Sequence, residues 1–317
     1  MEIVSAQIKD VPEIISLLKT SLGEKLLPKT EEYFIWKHFN NPFGPSKILL
    51  AKEKNKIIGI RAFMYWKWVK KNQEILSVRA VDTATSPDYQ GKGIFKTLTM
   101  QAVNECREEG VELVFNSPNP ISMNGYLKMG WSYIGRMPIF IGVGSLWPKR
   151  YVEEKLNHFY EEYEIGKSIN GLSSNWKVDI SEKNFHTGIN PSYLKWRYVD
   201  CPVTKYGSII KPGDFGMIFR FKKTNGYIEL RVCELWIEDE AKEKDLKKAL
   251  NELIKKVRPL FFSCSFLSLQ KKNNPFGFFG PFKRGPKITL RSLAKKSSFN
   301  FNHFNNWSPS IGSIELF

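Results

Sequence analysis

Residues 86–97 read SPDYQGKGIFKT. A β-like run, LSVRAVDTAT, precedes them, and a helix-like run, IFKTLTMQAVNECREEG, overlaps and follows them. Glycines at 91 and 93 let successive backbone N–H groups converge with no Cβ in the way. The helix start behind them contributes unpaired N–H donors and partial positive charge. Lys92 and Lys96 add full charges. Such an assembly suits a pyrophosphate. An ordinary strand-to-helix turn with solvated lysines reads the same residues as well, and the loop alone leaves both open. It is not Gly-x-x-x-x-Gly-Lys-Ser/Thr, which excludes an ATP-type phosphate loop. Nor is it Gly-x-Gly-x-x-Gly after a first parallel strand, which argues against a dinucleotide fold.

Outward from the loop, the pattern alternates between strand and helix. Residues 9–22 place Val11, Ile14, Leu17, Leu18 and Leu22 on one helical face, and a second helix covers 31–39 up to the break at NNPFG. SKILLAKEK, the turn KNK and IIGIRAFMYWKWVKK read as paired antiparallel strands, with EILSVRAVDTAT as a third. The helix after the loop stops at Gly110. VELVFNSPN is a strand, ISMNGYLKMG a short helix, and WSYIGRMPIFIGV one further strand.

The second half echoes the first. YFIWKHFNNP begins at Tyr33 and YLKWRYVDCP at Tyr193; the Tyr, Trp, basic residue and Pro all recur at an offset of 160. Four matches at one offset point to duplication of a whole domain. The strands FGMIFRFKK and YIELRVCELWIED, a helix over EKDLKKALNELIKKVR and a strand PLFFSCSFLSL repeat the order. EDEAKEKD stands where the glycine loop stood. The reading is therefore a first domain over 1–148, a connection over 149–184 that is polar and contains GLSS, and a second domain over 185–317.

Composition bounds the partners. The 317 residues carry 48 Lys and Arg against 32 Asp and Glu, a net charge of +16, which favours anionic partners. The four cysteines are widely spaced and make neither a zinc pattern nor a disulfide framework. The N-terminus does not resemble a signal peptide, and no apolar run reaches ~20 residues. The expectation is a cytoplasmic protein with reduced thiols, no metal and no stable nucleic-acid or membrane partner.

The loop also resembles the Gln/Arg-x-x-Gly-x-Gly/Ala segment of the GCN5-related N-acetyltransferases, the GNAT family. Here it reads Gln90-Gly91-Lys92-Gly93-Ile94-Phe95, with Pro87 as the proline upstream and VDTAT in the place of the splayed fourth strand. Downstream, NPISMNGYLKMGW is similar to the family's Asn-x-x-Ala-x-x-x-Tyr-x-x-x-Gly-aromatic segment, through Asn119, Ser122, Tyr126, Gly130 and Trp131. The resemblance covers roughly residues 1–145, and the second half resembles the loop-less domain of two-domain members. Phe95 departs from the family's glycine or alanine. It either crowds the phosphates or points into the core.

The resemblance implies an α+β fold, a mostly antiparallel mixed sheet flanked by helices, with a second, degenerate domain of the same kind. It implies acetyl transfer from acetyl-CoA to a small-molecule amine, an amino sugar or its nucleotide-linked form being one candidate, and a phosphorylated acceptor being compatible with the charge. A longer acyl group, or a module that binds CoA or nucleic acid without turnover, are the alternatives. Backbone groups of Thr83, Ala84 and Thr85 would pair with the pantetheine arm, and Gln90 through Phe95 would hold the pyrophosphate. Asn119 would belong to the cofactor site, and Tyr126, whose phenol is chemically suited to give up a proton, would protonate the leaving thiolate.

The general base is open. Asp82 is a candidate whose competing explanation is an ion pair with Arg79 or a lysine. His38 and the Trp36–Trp196 echo read as structural. The C-terminal carboxylate of Phe317 is a further candidate base. Residues 271–296 hold eight basic residues and no acid, and read as a solvated loop framing the acceptor cleft.

Overall fold

A computed structural model describes residues 1–23, 28–178, 184–265, 277–294 and 299–314. The first sheet opens with β1 (Glu2–Ser5), followed by α1 (Val11–Leu22) and α2 (Glu31–His38). Then β2 (Lys47–Glu53), β3 (Lys56–Lys70) and β4 (Gln73–Thr85) form an antiparallel meander. Its two hairpin turns place Lys54, Asn55, Lys71 and Asn72 at positive φ, the geometry that matches strand twist. The glycine loop leads into α3 (Ile94–Glu108), and β5 (Leu113–Asn116) returns parallel to β4. α4 (Pro120–Lys128) and β6 (Ser132–Arg136) follow. The middle of β3 reads as an apolar run interrupted by Arg61, because both its faces are covered. α3 packs on one through Ile94, Leu98, Ala102 and Cys106, and α1 on the other through Val11, Ile14 and Leu18.

The expected single strand over 131–143 is two. Met137 and Pro138 separate β6 from β7 (Ile139–Val143), since proline cannot donate to a ladder. The chain leaves the first sheet there. β7 lies in the second sheet, between β12 (Phe261–Cys264) and β13 (Phe278–Phe282). In return β14 (Lys287–Ser292), from the second half, lies in the first sheet between β5 and β6. The sheets therefore cross the boundary expected at 148. Residues 271–296 are likewise not a solvated loop where they are described. β14 buries Ile288, Thr289 and Leu290 in succession, and residues 271–276 and 295–296 lie outside the described residues.

Within 149–184 the structure has two helices, α5 (Glu153–Glu162) and α6 (Ile165–Asn170), which bury Leu156, Ile165 and Ile169. After β8 (His186–Thr187), a short strand paired to β3, comes α7 (Pro191–Leu194), which runs into a π-helical turn over Lys195–Val199. Then β9 (Gly207–Lys211), β10 (Phe215–Thr224), β11 (Tyr227–Ile237) and α8 (Glu243–Val257) precede β12, and α9 (Ile311–Ile314) lies at the end. The sheet orders are β1-β2-β3-β4-β5-β14-β6 and β9-β10-β11-β12-β7-β13. From β2 and β9 onward they match strand for strand, down to the one parallel pair in each path, β4·β5 and β11·β12.

The repeated tryptophans meet between the halves. Trp36 Nε1 donates to the Trp196 carbonyl at 2.7 Å, and Trp196 Nε1 donates to the Trp36 carbonyl at 2.8 Å. Their rings stack at 5.1 Å and 17°. Each helix start is capped alike: Thr30 accepts from the Tyr33 N–H and Asn190 from the Tyr193 N–H.

A fragment of residues 1–148 should not fold alone. Without β14, the facing ladder edges of β5 and β6 are unpaired, and β7 has no sheet to join. Expression of the fragment should give aggregates. A soluble fragment with a sharp, cooperative melt by circular dichroism would contradict the exchange of strands.

Candidate active site

Beyond Arg79 and Phe115, the last partners of the β4·β5 ladder, the two strands diverge. Thr83, Ala84 and Thr85 pair with Arg61, Ile60 and Gly59 of β3, but among the described residues no strand lies on their other edge. An extended ligand can add to such an edge. At its end stands the glycine loop. Gly91 and Gly93 take φ of 77° and 79°, a region that disfavours side chains, and a Cβ at either would meet nothing within 4 Å. Gly93 is the N-cap of α3 and supplies no side-chain cap, so the first N–H groups of the helix are left for a ligand. Lys92 lies over the Tyr89 ring at 4.6 Å, and Gln90 Nε2 donates to the Thr85 carbonyl at 3.3 Å. Ile94 is buried against β3.

Phe95 points inward. Its ring meets Tyr126 edge-on at 5.6 Å, which removes it from the loop's open side. Tyr126 itself is buried in the cluster that α3 forms on the first sheet, on the same face as the loop. Asn119 is the N-cap of α4, and its side-chain oxygen accepts from the Ser122 N–H at 2.8 Å. That bond gives it a local structural task, so of the residues expected to hold the cofactor it is the one already engaged in capping a helix.

A cleft of about 660 Å³ opens at the divergence. Lys37, Arg79, Asp82 and Ser117 line it from the first half, and Glu229, Arg231 and Arg284 from the second. Asp82 is an extra residue in β4, since Arg61 pairs with Thr83 while Ala62 pairs with Val81, and it takes φ of 30°. Its ion-pair partner is not Arg79. Lys37 Nζ and His38 Nε2 each lie 2.7 Å from Asp82 Oδ2. A carboxylate only accepts, so the imidazole proton is on Nε2, and Nδ1 meets the Ser46 hydroxyl at 2.9 Å. Burial alone would raise Asp82, but the Lys37 charge and the bonds from His38 and Lys37 outweigh it and hold the carboxyl well below its usual range. Burial lowers His38, against the pull of Asp82, and keeps the ring neutral. Arg79 is pulled down to about 10 by burial, still a cation at neutral pH.

The second half has the same parts in a closed form. Arg231 is the last residue of the β11·β12 ladder, as Arg79 is of β4·β5, and Glu234 stands three residues after it, as Asp82 does after Arg79. Tyr198, two residues after Trp196, donates to Glu234 at 2.7 Å, where His38, two residues after Trp36, serves Asp82. Here α9 closes the site. A Cβ on Gly312 would lie 1.8 Å from the Tyr198 hydroxyl and 2.7 Å from Glu234 Oε1. Burial pushes Glu234 up. Sequence reasoning passed over this pair, although RAVD at 79–82 and RVCE at 231–234 carry the signal. Phe317 lies outside the described residues. A wider groove of about 1260 Å³ lies between α5–α6 and β9–β10, far along the chain from the loop and without its geometry.

The comparisons agree with this geometry. The profile of the family described as "Acetyltransferase (GNAT) domain" matches residues 2–134. This part of the chain is a GNAT-family domain. No curated protein matches the chain. Among solved structures, a GCN5-related N-acetyltransferase from Anabaena variabilis is 12% identical, with a TM-score of 0.61 over 92% of this chain and 73% of its own. A probable N-acyltransferase from Enterococcus faecalis is 11% identical, at 0.63 over 92% and 72%. Eis1 from Mycobacterium abscessus is 12% identical, at 0.56 over 92% and 74%. At such identities these likenesses establish the GNAT fold across both sheets. GNAT membership supports acyl transfer from an acyl-CoA to an amine. Among the described residues no helix is long and apolar enough to cross a membrane.

Asp82→Asn should destabilise the protein by about 3 kcal/mol at neutral pH, because Lys37 is left buried without its counter-charge. The wild-type carboxyl is lower in the folded than in the unfolded state, so its contribution is complete above about pH 4 and declines as pH falls below that. The Asn variant should lose this part of the acid dependence. Urea melts of both proteins between pH 3 and 7 measure it.

Proposed function

We propose that this protein transfers the acetyl group of acetyl-CoA to the amine of a small acceptor that also carries an anionic group, such as a phosphorylated or nucleotide-linked amino sugar. The carrying observation is the union of an open β4 edge and uncapped helix start on one side of the splay with a charged cleft on the other. Thr83 to Thr85 would hold the pantetheine arm by their backbone, and Gln90 to Phe95 the pyrophosphate, Phe95 through its N–H alone. In the cleft Lys37 is matched by Asp82 and Arg231 by Glu229, whereas Arg79 and Arg284 form no salt bridge among the described residues. Two unmatched cations favour an acceptor with a carboxylate or phosphate.

The chemistry then divides among the chain's own groups. Asp82, held ionised, attracts the acceptor's ammonium, but its weak proton affinity makes it an anchor rather than the base. Water takes the proton of the amine, and Tyr126 gives one to the departing thiolate. No metal is called for. The second half shapes the acceptor cleft, and its own splay is filled by α9.

An acetyl-CoA turnover screen against paired amines tests the reading. O-phosphoethanolamine should be used better than ethanolamine, and glucosamine 6-phosphate better than glucosamine. Binding of acetyl-CoA with turnover of no amine would leave a binding module instead. Gly93→Val should abolish acetyl-CoA binding while the protein stays folded, since a Cβ there meets no protein atom within 4 Å and the cost to the fold is the strain of a side chain at φ of 79°. Tyr126→Phe keeps the ring and its packing. It should lower kcat by about 10²–10⁴-fold with little change in acetyl-CoA KM. Wild-type kcat with chemistry rate-limiting would remove Tyr126 from the mechanism.

A further inference from the structure

Arg61 lies in the middle of β3 and is fully buried. None of its three guanidinium nitrogens has a hydrogen-bond partner among the described residues. The rings of Phe63, Tyr126 and Phe95 surround it, at 4.8, 5.3 and 5.7 Å from the guanidinium carbon. Ring faces offset part of the cost of removing the charge from water, but they offer no lone pair to five N–H donors. The other interior arginines near the cleft are served: Arg79 donates to the Ser313 and Ile314 carbonyls, and Arg197 to the Gly312 carbonyl. A dry guanidinium with no acceptor is a costly element to keep in an empty fold.

Its place in the sheet says what it waits for. Gly59 touches Ile94 at the start of α3 and so marks the pyrophosphate end. Arg61 is two residues further along β3, about 7 Å deeper, in register with Thr83 and next to the irregularity at Asp82. It lies against Tyr126, on the α3 face, where the reacting end of an acyl-CoA threaded along the open β4 edge would come.

We propose that Arg61 belongs to the donor site and that its guanidinium donates to a carbonyl oxygen of the donor's thioester arm. This rests on the acyl-transfer reading. Entry requires the edge-on pair of Phe95 and Tyr126 to part, a modest cost for one aromatic contact. In return the buried charge gains the acceptor that the empty protein lacks. The aromatic surround then serves a purpose. It keeps water from taking the same donors and holds the cation beside the group that is to protonate the sulfur.

The test is calorimetric titration of wild type, Arg61→Met and Arg61→Lys with acetyl-CoA, with CoA, and with adenosine 3′-phosphate 5′-diphosphate, which lacks the arm. Melting of each empty protein accompanies it. Arg61→Met should melt about 2–4 °C higher than wild type, because an unpaired buried charge is gone. It should bind acetyl-CoA about tenfold to a hundredfold more weakly, and the nucleotide fragment unchanged. Arg61→Lys, which keeps the charge but not the planar fork, should fall between. Equal losses for CoA and acetyl-CoA assign the bond to a pantetheine amide. A larger loss for acetyl-CoA assigns it to the thioester carbonyl. Wild-type acetyl-CoA affinity in either folded variant overturns the proposal and leaves the acyl-transfer reading in place. So does an equal loss for the fragment. Unfolding of both variants overturns it too, because it would make Arg61 a support of the empty fold. Wild-type protein that binds none of the three ligands overturns the acyl-transfer reading itself.

Discussion

Neither sheet of this protein is complete without a strand from the other half. β14 bridges β5 and β6, and β7 bridges β12 and β13, so the loss of either leaves backbone donors and acceptors unpaired in two places. The exchange fixes the halves against each other at the ends of both splays. The walls of the cleft are continuous sheet and hairpin, with Arg284 and Gly285 in the turn between β13 and β14. The Trp36–Trp196 pair does the same on the local twofold relation. Each indole donates to the other's backbone carbonyl, and a change of either side chain removes one of these two buried bonds.

Given that symmetry, function comes from where it fails. Both halves place an arginine at the end of the parallel ladder and a carboxylate three residues later, served by the residue two after the tryptophan. In the first half the carboxylate is ionised by Lys37 and opens to the cleft. In the second it is wrapped by Tyr193, Tyr198 and α9, and burial pushes its pKa up. The glycine loop is likewise present once, since α8 begins behind Glu240–Lys242 with no left-handed turn. One repeated plan thus has an open splay with a glycine loop in one half and a splay closed by α9 in the other.

The sequence by itself determined much of the first half. Period-2 and period-3.6 apolar patterns, two hairpin turns and a glycine loop before a helix are local features, and local features survive in any context that buries the right face. The motif spacing placed Gln90–Phe95 at a helix start and Tyr126 on the same side of the sheet. The 160-residue echo was legible because it is written in four large, rarely coincident side chains.

Other features were decided only by tertiary structure. Which sheet a strand joins is not encoded in its own residues: β7 reads as a continuation of β6 and β14 lies in a basic segment that reads as a loop, yet each pairs in the sheet of the opposite half, with Pro138 as the sole local hint. Asp82 finds Lys37 and His38 rather than Arg79 because the extra residue in β4 redirects its side chain, and a strand pattern does not show an irregularity. The π-helical turn after α7 and the seating of Gly312 on Glu234 are likewise contact-driven. So is the state of Arg61. In the sequence it is one basic residue in a run of apolar ones. Only the fold shows that three rings surround it with no acceptor among the described residues, because hydrogen-bond satisfaction is a property of neighbours brought together from distant parts of the chain.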